Sequence, residues 1–214
     1  MHTRIKICGL TEPKGIAAAI DAGVDALGFV FYQASSRAVT FERFQSLVEN
    51  WPPFVDRVAL WVNAAESDVK RVVATGLVDL LQFHGTESPE YCEQFGLPYI
   101  KALRPKAETD WLAVMSAHTQ AAGFILDAGS DNPQARTGQW GGTGHVFDWS
   151  LWPEQATKPL ILAGGLNPQN VSEAIKRLRP FAVDVSGGVE ASPGVKDQNK
   201  IQDFVREVLC CAQQ

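Results

Sequence analysis

Leu160-Ile161-Leu162-Ala163-Gly164-Gly165-Leu166-Asn167-Pro168 opens as an unbroken apolar run, turns on paired glycines and ends on a helix-start signal. An apolar run bounded by glycine suits a strand buried on both faces, because a strand with one wet face would alternate. Asn-Pro then fits an N-cap followed by proline at the first helical position, where the missing N–H is not needed. The stretch reads as one βα unit, with a strand over 160–163 and a helix over 168–178. Ala26-Leu27-Gly28-Phe29-Val30-Phe31 repeats the strand half of this pattern.

Working outward, the same unit recurs along the chain. Strands are expected at 4–8, 26–31, 58–62, 77–83, 99–103, 123–127, 160–163 and 182–185. Helices are expected at 13–22, 41–49, 67–74, 89–95, 168–178 and 198–210, with weaker patterns after the fifth and sixth strands. Thr11 before Pro13 and Ser88 before Pro89 add start signals, and Gly23, Gly76 and Gly96 add stop signals. Eight βα units favour a closed barrel over an open sheet. The expectation is an α/β chain forming a single (β/α)8 barrel domain over residues 1–214. Such barrels start near ~200 residues, so little room is left for an insertion. The longest irregular stretch, 128–145, follows the sixth strand, and a loop of that length in so compact a chain is expected to be functional.

A hydrophobic share of 45% and a charged share of 20% suffice for a packed core. The net charge of −5, with Lys and Arg scattered singly, supplies no basic stripe and argues against nucleic acid as a partner. No apolar run approaches the ~20 residues that span a bilayer, and the chain enters a strand pattern without a signal-peptide core, so no membrane partner and a cytoplasmic location are expected. Cys8, Cys92, Cys210 and Cys211 show no zinc-ligand spacing, so no metal is expected, and free thiols are the simpler reading.

In a barrel of this kind the active site lies at the C-terminal ends of the strands. Gly164-Gly165 and Ser186-Gly187-Gly188 place glycine-rich backbone just beyond strands seven and eight, where oriented N–H groups commonly hold phosphate. Paired glycines can also simply make tight turns, but finding both pairs favours a small phosphorylated substrate. Arg37, after strand two, could fork onto a carboxylate or stay a solvated surface residue. Cys8 and Asp127 close strands one and six, positions from which a base and an acid could face each other across the barrel mouth. A buried cysteine filling space and an aspartate capping a turn are the bland alternatives.

Taken together, the strand ends resemble the phosphoribosylanthranilate isomerase family over nearly the whole chain. The carrying stretches are Lys6-Ile7-Cys8-Gly9-Leu10-Thr11, Ser35-Ser36-Arg37, Gln82-Phe83-His84-Gly85, Leu126-Asp127 with Gly141-Gly142-Thr143-Gly144 and Phe147-Asp148-Trp149, Leu162-Ala163-Gly164-Gly165-Leu166 with Asn170-Val171, and Asp184-Val185-Ser186-Gly187-Gly188-Val189-Glu190. The resemblance implies an Amadori rearrangement in tryptophan biosynthesis that needs no cofactor. N-(5-phosphoribosyl)anthranilate becomes 1-(2-carboxyphenylamino)-1-deoxyribulose 5-phosphate. It further implies that Asp127 protonates the ring oxygen and Cys8 removes the C2 proton. Arg37 would hold the anthranilate carboxylate, and Gly165, Ser186 and Gly187 the phosphate. The loop around residues 141–144 would shield the intermediate from water. His84 matches a family motif and is expected to pack or hydrogen-bond rather than react. Members of the family are monomers or homodimers.

Two positions depart from the family pattern: Ser36 stands where proline is usual, and Gly187 where serine is usual. The first is expected to loosen the loop that aims Arg37; the second removes a hydroxyl and keeps the backbone N–H. The related histidine-pathway isomerase resembles the chain less, since it carries aspartate at the position of Cys8. Indole-glycerol-phosphate synthase depends on lysines at strand ends, whereas Lys6 and Lys101 lie inside strands. A non-catalytic sugar-phosphate-binding barrel would lack the pair Cys8 and Asp127.

The implied chemistry needs a thiolate and a neutral acid together. With ordinary values of ~8.5 and ~3.9, that state is populated at most about one time in 40,000, a handicap of roughly 6 kcal/mol. Cys8 is therefore expected below a free thiol and Asp127 above a free carboxyl.

Overall fold

The computed structural model describes residues 2–104, 108–127 and 148–211. Eight parallel strands close into a barrel in sequence order: β1 (Arg4–Cys8), β2 (Ala26–Val30), β3 (Asp56–Trp61), β4 (Leu80–Phe83), β5 (Tyr99–Leu103), β6 (Gly123–Leu126), β7 (Leu160–Leu162) and β8 (Ala182–Val185). β8 pairs back onto β1, with Lys6 opposite Asp184, and Cys8 lies opposite Gly28 of β2. Helices α1 (Pro13–Asp21), α2 (Phe41–Leu47), α3 (Glu66–Val73), α4 (Pro89–Glu93), α5 (Trp111–Ala117), α6 (Val171–Leu178) and α7 (Gln198–Cys211) lie between or after the strands. No helix among the described residues is long and apolar enough to cross a membrane.

Strand alternation separates two layers. Ile5, Ile7, Leu27, Phe29, Phe124 and Val183 point outward and pack with helix residues such as Phe44, Val69, Ala174 and Phe204 in the main core. Ile100, Ala102, Ile125 and Ile161 point inward with Cys8, Val30 and Leu60. The inner layer also buries Lys6, Gln82 and Asp184, whereas the buried Lys101, between Ile100 and Ala102 on β5, leaves the strand on the outer side. The strands look uniformly apolar in sequence because both layers are dry.

Most elements fall where the sequence puts them, and the differences have local causes. The fourth strand starts at Leu80 rather than residue 77 because Asp79 turns back to accept from the Arg57 backbone N–H and guanidinium. The sixth helix starts at Val171 rather than 168. Asn167 does cap, but it caps a turn, accepting from the Gln169 and Asn170 N–H groups. Thr11 does not cap the first helix: Glu12 is the N-cap, and the Thr11 hydroxyl donates to Gly194 O at 2.6 Å. Ser88 caps as expected, accepting from Tyr91 N ahead of Pro89.

A feature the strand pattern did not announce is a short antiparallel hairpin after β8, formed by β9 (Glu190–Ser192) and β10 (Val195–Lys196). The pairing is brief and carries a register shift, which leaves little periodicity to read. The stretch 128–145, including residues 141–144, lies outside the described residues.

Candidate active site

A cavity of about 390 Å³ opens at the C-terminal ends of the strands, lined among others by Arg37, Asp127, Gly165, Asp184, Ser186 and Gly187. Five of the six residues expected at the site thus share one cavity. Cys8, the sixth, sits at the end of β1 and is only 5% exposed.

The phosphate-type loops are built as the glycines demand. Gly165 has a φ of +66°, a conformation that a side chain would strain. The β7 and β8 loops press together so closely that a Cβ at Gly188 would stand 1.9 Å from the Leu166 carbonyl oxygen. At Gly187 the space is ordinary, 3.5 Å to Arg37 Nη2, so the serine usual in the family would fit. The Ser186 hydroxyl is already engaged, donating to Cys8 O at 2.9 Å and tying the end of β8 to the end of β1.

Arg37 is held by more than its loop. Its Nε and Nη2 donate to the two carboxylate oxygens of Glu190, both at 2.7 Å, in a fork-on-fork pair. Lys196 Nζ donates to the same Glu190 at 2.9 Å and to Ser186 O at 3.0 Å. Burial would raise the Glu190 carboxyl, but the bond from Arg37 and the Lys196 ammonium hold it below its usual range. The expected looseness at Ser36 has a counterweight in this pair and in Ser35 Oγ, which accepts from Arg37 N. Neither Glu190 nor Lys196 was singled out from sequence. Glu190 lay inside a quoted motif without a role, and Lys196 comes from the hairpin, whose partners only the fold supplies.

Asp127 follows β6, continues its ladder by donating its N–H to Leu103 O, and is buried. Its Oδ2 lies 3.2 Å from His84 Nε2 at the end of β4. His84 Nδ1 is in turn 3.2 Å from Gln82 Nε2, so the buried imidazole lies between a side-chain amide and the Asp127 carboxyl. The turn that carries His84 is anchored by a buried pair from the next strand: Lys101 Nζ donates to Glu87 Oε2 at 2.9 Å and to Gly85 O at 2.6 Å.

The expectation for Cys8 is corrected by the structure. Burial pushes its thiol above the ordinary range, and the neighbouring Lys6 ammonium only partly offsets this. Sequence could show a cysteine at a strand end but not the depth at which a closed barrel would place it. Among the described residues, no group of three His, Cys, Asp or Glu side chains could hold a metal ion.

A family model for N-(5'-phosphoribosyl)anthranilate isomerase matches residues 5–207. The chain belongs to that family. Membership makes it an isomerase of tryptophan biosynthesis. The curated N-(5'-phosphoribosyl)anthranilate isomerase of Pseudomonas fluorescens strain Pf0-1 is 50% identical over 205 residues, 96% of this chain and 98% of that protein. The crystal structure of phosphoribosyl anthranilate isomerase from Thermotoga maritima superposes with a TM-score of 0.84 at 37% identity, covering 97% of this chain and 99% of the other. A second isomerase structure, TM-score 0.82 and 35% identical, again covers 97% and 99% of the two chains and holds reduced 1-(o-carboxyphenylamino)-1-deoxyribulose 5-phosphate.

Proposed function

We propose that this member of the isomerase family converts N-(5-phosphoribosyl)anthranilate to 1-(2-carboxyphenylamino)-1-deoxyribulose 5-phosphate with Asp127 as general acid and Cys8 as general base. The carrying observation is that one cavity joins a buried carboxyl, an arginine fork and two glycine-rich loops. Those are the groups that an aminated sugar phosphate with an aromatic carboxylate calls for.

In this reading the loops at Gly165 and Ser186–Gly187 take the phosphate, and Arg37 reaches the anthranilate carboxylate with the nitrogen that Glu190 leaves unused. Asp127 donates its proton to the ring oxygen as the C1–O bond breaks, which opens the sugar to an iminium. Cys8 then takes the C2 proton, and the electron pair neutralises the iminium to an enolamine. Proton transfer to C1 gives the ketone, so the step is an isomerisation with no net oxidation. A cytoplasmic setting fits the free thiols of Cys8, Cys92, Cys210 and Cys211.

Turnover with substrate generated in situ tests the assignment. Cys8→Ser and Asp127→Asn are each expected to lower kcat by about 10²-fold or more while leaving product-analogue affinity within a few-fold. A near-normal kcat for either variant removes that residue from its role. Failure of the well-expressed protein to complement a tryptophan auxotroph lacking this isomerase would overturn the whole reading.

A further inference from the structure

Lys6 precedes Cys8 by two positions on β1, so both side chains leave the strand on the same inward face. Lys6 lies opposite Asp184 on β8 and donates to its Oδ1 at 2.8 Å, with both side chains buried. On the other side, Gly28 of β2 is the partner of Cys8. A Cβ placed on Gly28 would stand 2.8 Å from Cys8 Sγ and 3.2 Å from Lys6 Cε, so the sulfur and the end of the lysine stem converge over this one glycine. An apolar pair would fill the inside of a barrel at least as well as a buried ammonium and carboxylate. Here the ion pair sits beside the thiol.

We propose that Lys6 is a positioning residue for Cys8: its ammonium, anchored by Asp184, faces the sulfur and stabilises the thiolate, and Gly28 keeps that approach open. The proposal rests on the reading of Cys8 as general base. Four charged groups act on the thiol: Lys6 on its own strand, Asp184 on β8, Lys196 on β10 and Arg37 beyond β2. Against the dominant effect of burial, Lys6 is the strongest influence pulling Cys8 down, ahead of Lys196, and Asp184 opposes it. Lys6 keeps its own proton, since Asp184 and Cys8 outweigh its burial. The thiol releases its proton to water, and the thiolate regains one from C2 of the substrate. Lys6 donates none.

The test uses the full chain with Cys92→Ala, Cys210→Ser and Cys211→Ser, so that one thiol is read by its iodoacetamide alkylation rate against pH. Lys6→Met is expected to raise the apparent pKa of Cys8 by about one to three units, and Asp184→Asn to lower it. The double variant, which buries no unpaired charge, should fall between them. Opposite signs are the signature, because a loss of packing would move both single variants in one direction. Equal values, or shifts of the same sign, overturn the proposal. Should Lys6→Met fail to fold, Asp184→Asn and the double variant decide: a value for Asp184→Asn that is not below both the parent and the double variant overturns it. Cys8→Ser is assayed in parallel for kcat. Near-normal turnover there would overturn the general-base reading whatever the alkylation shows, so the two failures are told apart.

Discussion

Asp127 Oδ2 and His84 Nε2 lie 3.2 Å apart across the mouth of the barrel, joining the ends of β6 and β4. Gln82, two residues before His84, sets its Nε2 3.2 Å from Nδ1 of the same imidazole. In the proposed mechanism, an imidazole held this close to the carboxyl helps to place Asp127 for proton transfer. Replacing His84 by Phe is expected to lower kcat about tenfold with little change in product-analogue affinity, since the group acts through Asp127. Steady-state kinetics beside equilibrium binding reads the split. A variant whose affinity falls and whose kcat holds would place His84 in substrate binding instead.

Arg37 and Glu190 act as one unit. Arg37→Ala should raise KM strongly, and Arg37→Lys should recover only part, because an ammonium cannot fork. Glu190→Gln keeps the shape and loses the charge that aims the guanidinium, so KM is expected to rise by about tenfold, about 1.4 kcal/mol of binding. Unchanged KM in Glu190→Gln would show that Arg37 needs no anchor.

The same pair shapes the acid side of stability. The Glu190 carboxyl is held below its usual range in the folded chain. Its contribution is therefore complete above the unfolded value near ~4.3 and is lost as pH falls through the lower folded value. Urea midpoints between pH 7 and pH 3 should drop less steeply in Glu190→Gln than in the parent. Parallel curves would rule this contribution out.

Gly188 and Gly187 are neighbours with opposite tolerances. Gly188→Ala drives a methyl into the Leu166 carbonyl, and the loops must part; a loss of about 1–3 kcal/mol is expected, with weaker phosphate competition. Gly187→Ser meets no such obstacle and should stay within about 0.5 kcal/mol of the parent. Chemical denaturation and inhibition by inorganic phosphate check both. Equal stability of the two variants would contradict the packing described between β7 and β8.

Lys101 and Glu87 are both buried, and the glutamate also accepts from the N–H groups of Asn63 and Gly85. Lys101→Met leaves that carboxylate unpaired and is expected to destabilise the fold by about 3–5 kcal/mol. The double variant Lys101→Met with Glu87→Gln removes the stranded charge and should regain part of this. A double variant no more stable than Lys101→Met alone would mean that the stranded charge is not the cause.

The recurrence of eight parallel strands was determined by the sequence alone. Runs such as 26–31 and 160–163 can be satisfied only where both faces of a strand are dry, and the glycines after helices stop them by local geometry, so neither signal waits for distant partners. The strand-end motifs likewise identified the family and named Arg37, Asp127, Gly165, Ser186 and Gly187, which the fold gathers around one cavity. Contacts between residues far apart in the chain were decided by tertiary structure. Glu190 meets Arg37 across 153 positions, and Asp184 meets Lys6 across 178. The Asp127 and His84 contact needs β4 and β6 in one closed sheet. The protonation of Cys8 belongs to the same class, since burial and the field of Lys6, Asp184, Lys196 and Arg37 arise only when closure of the barrel removes water and brings these charges together.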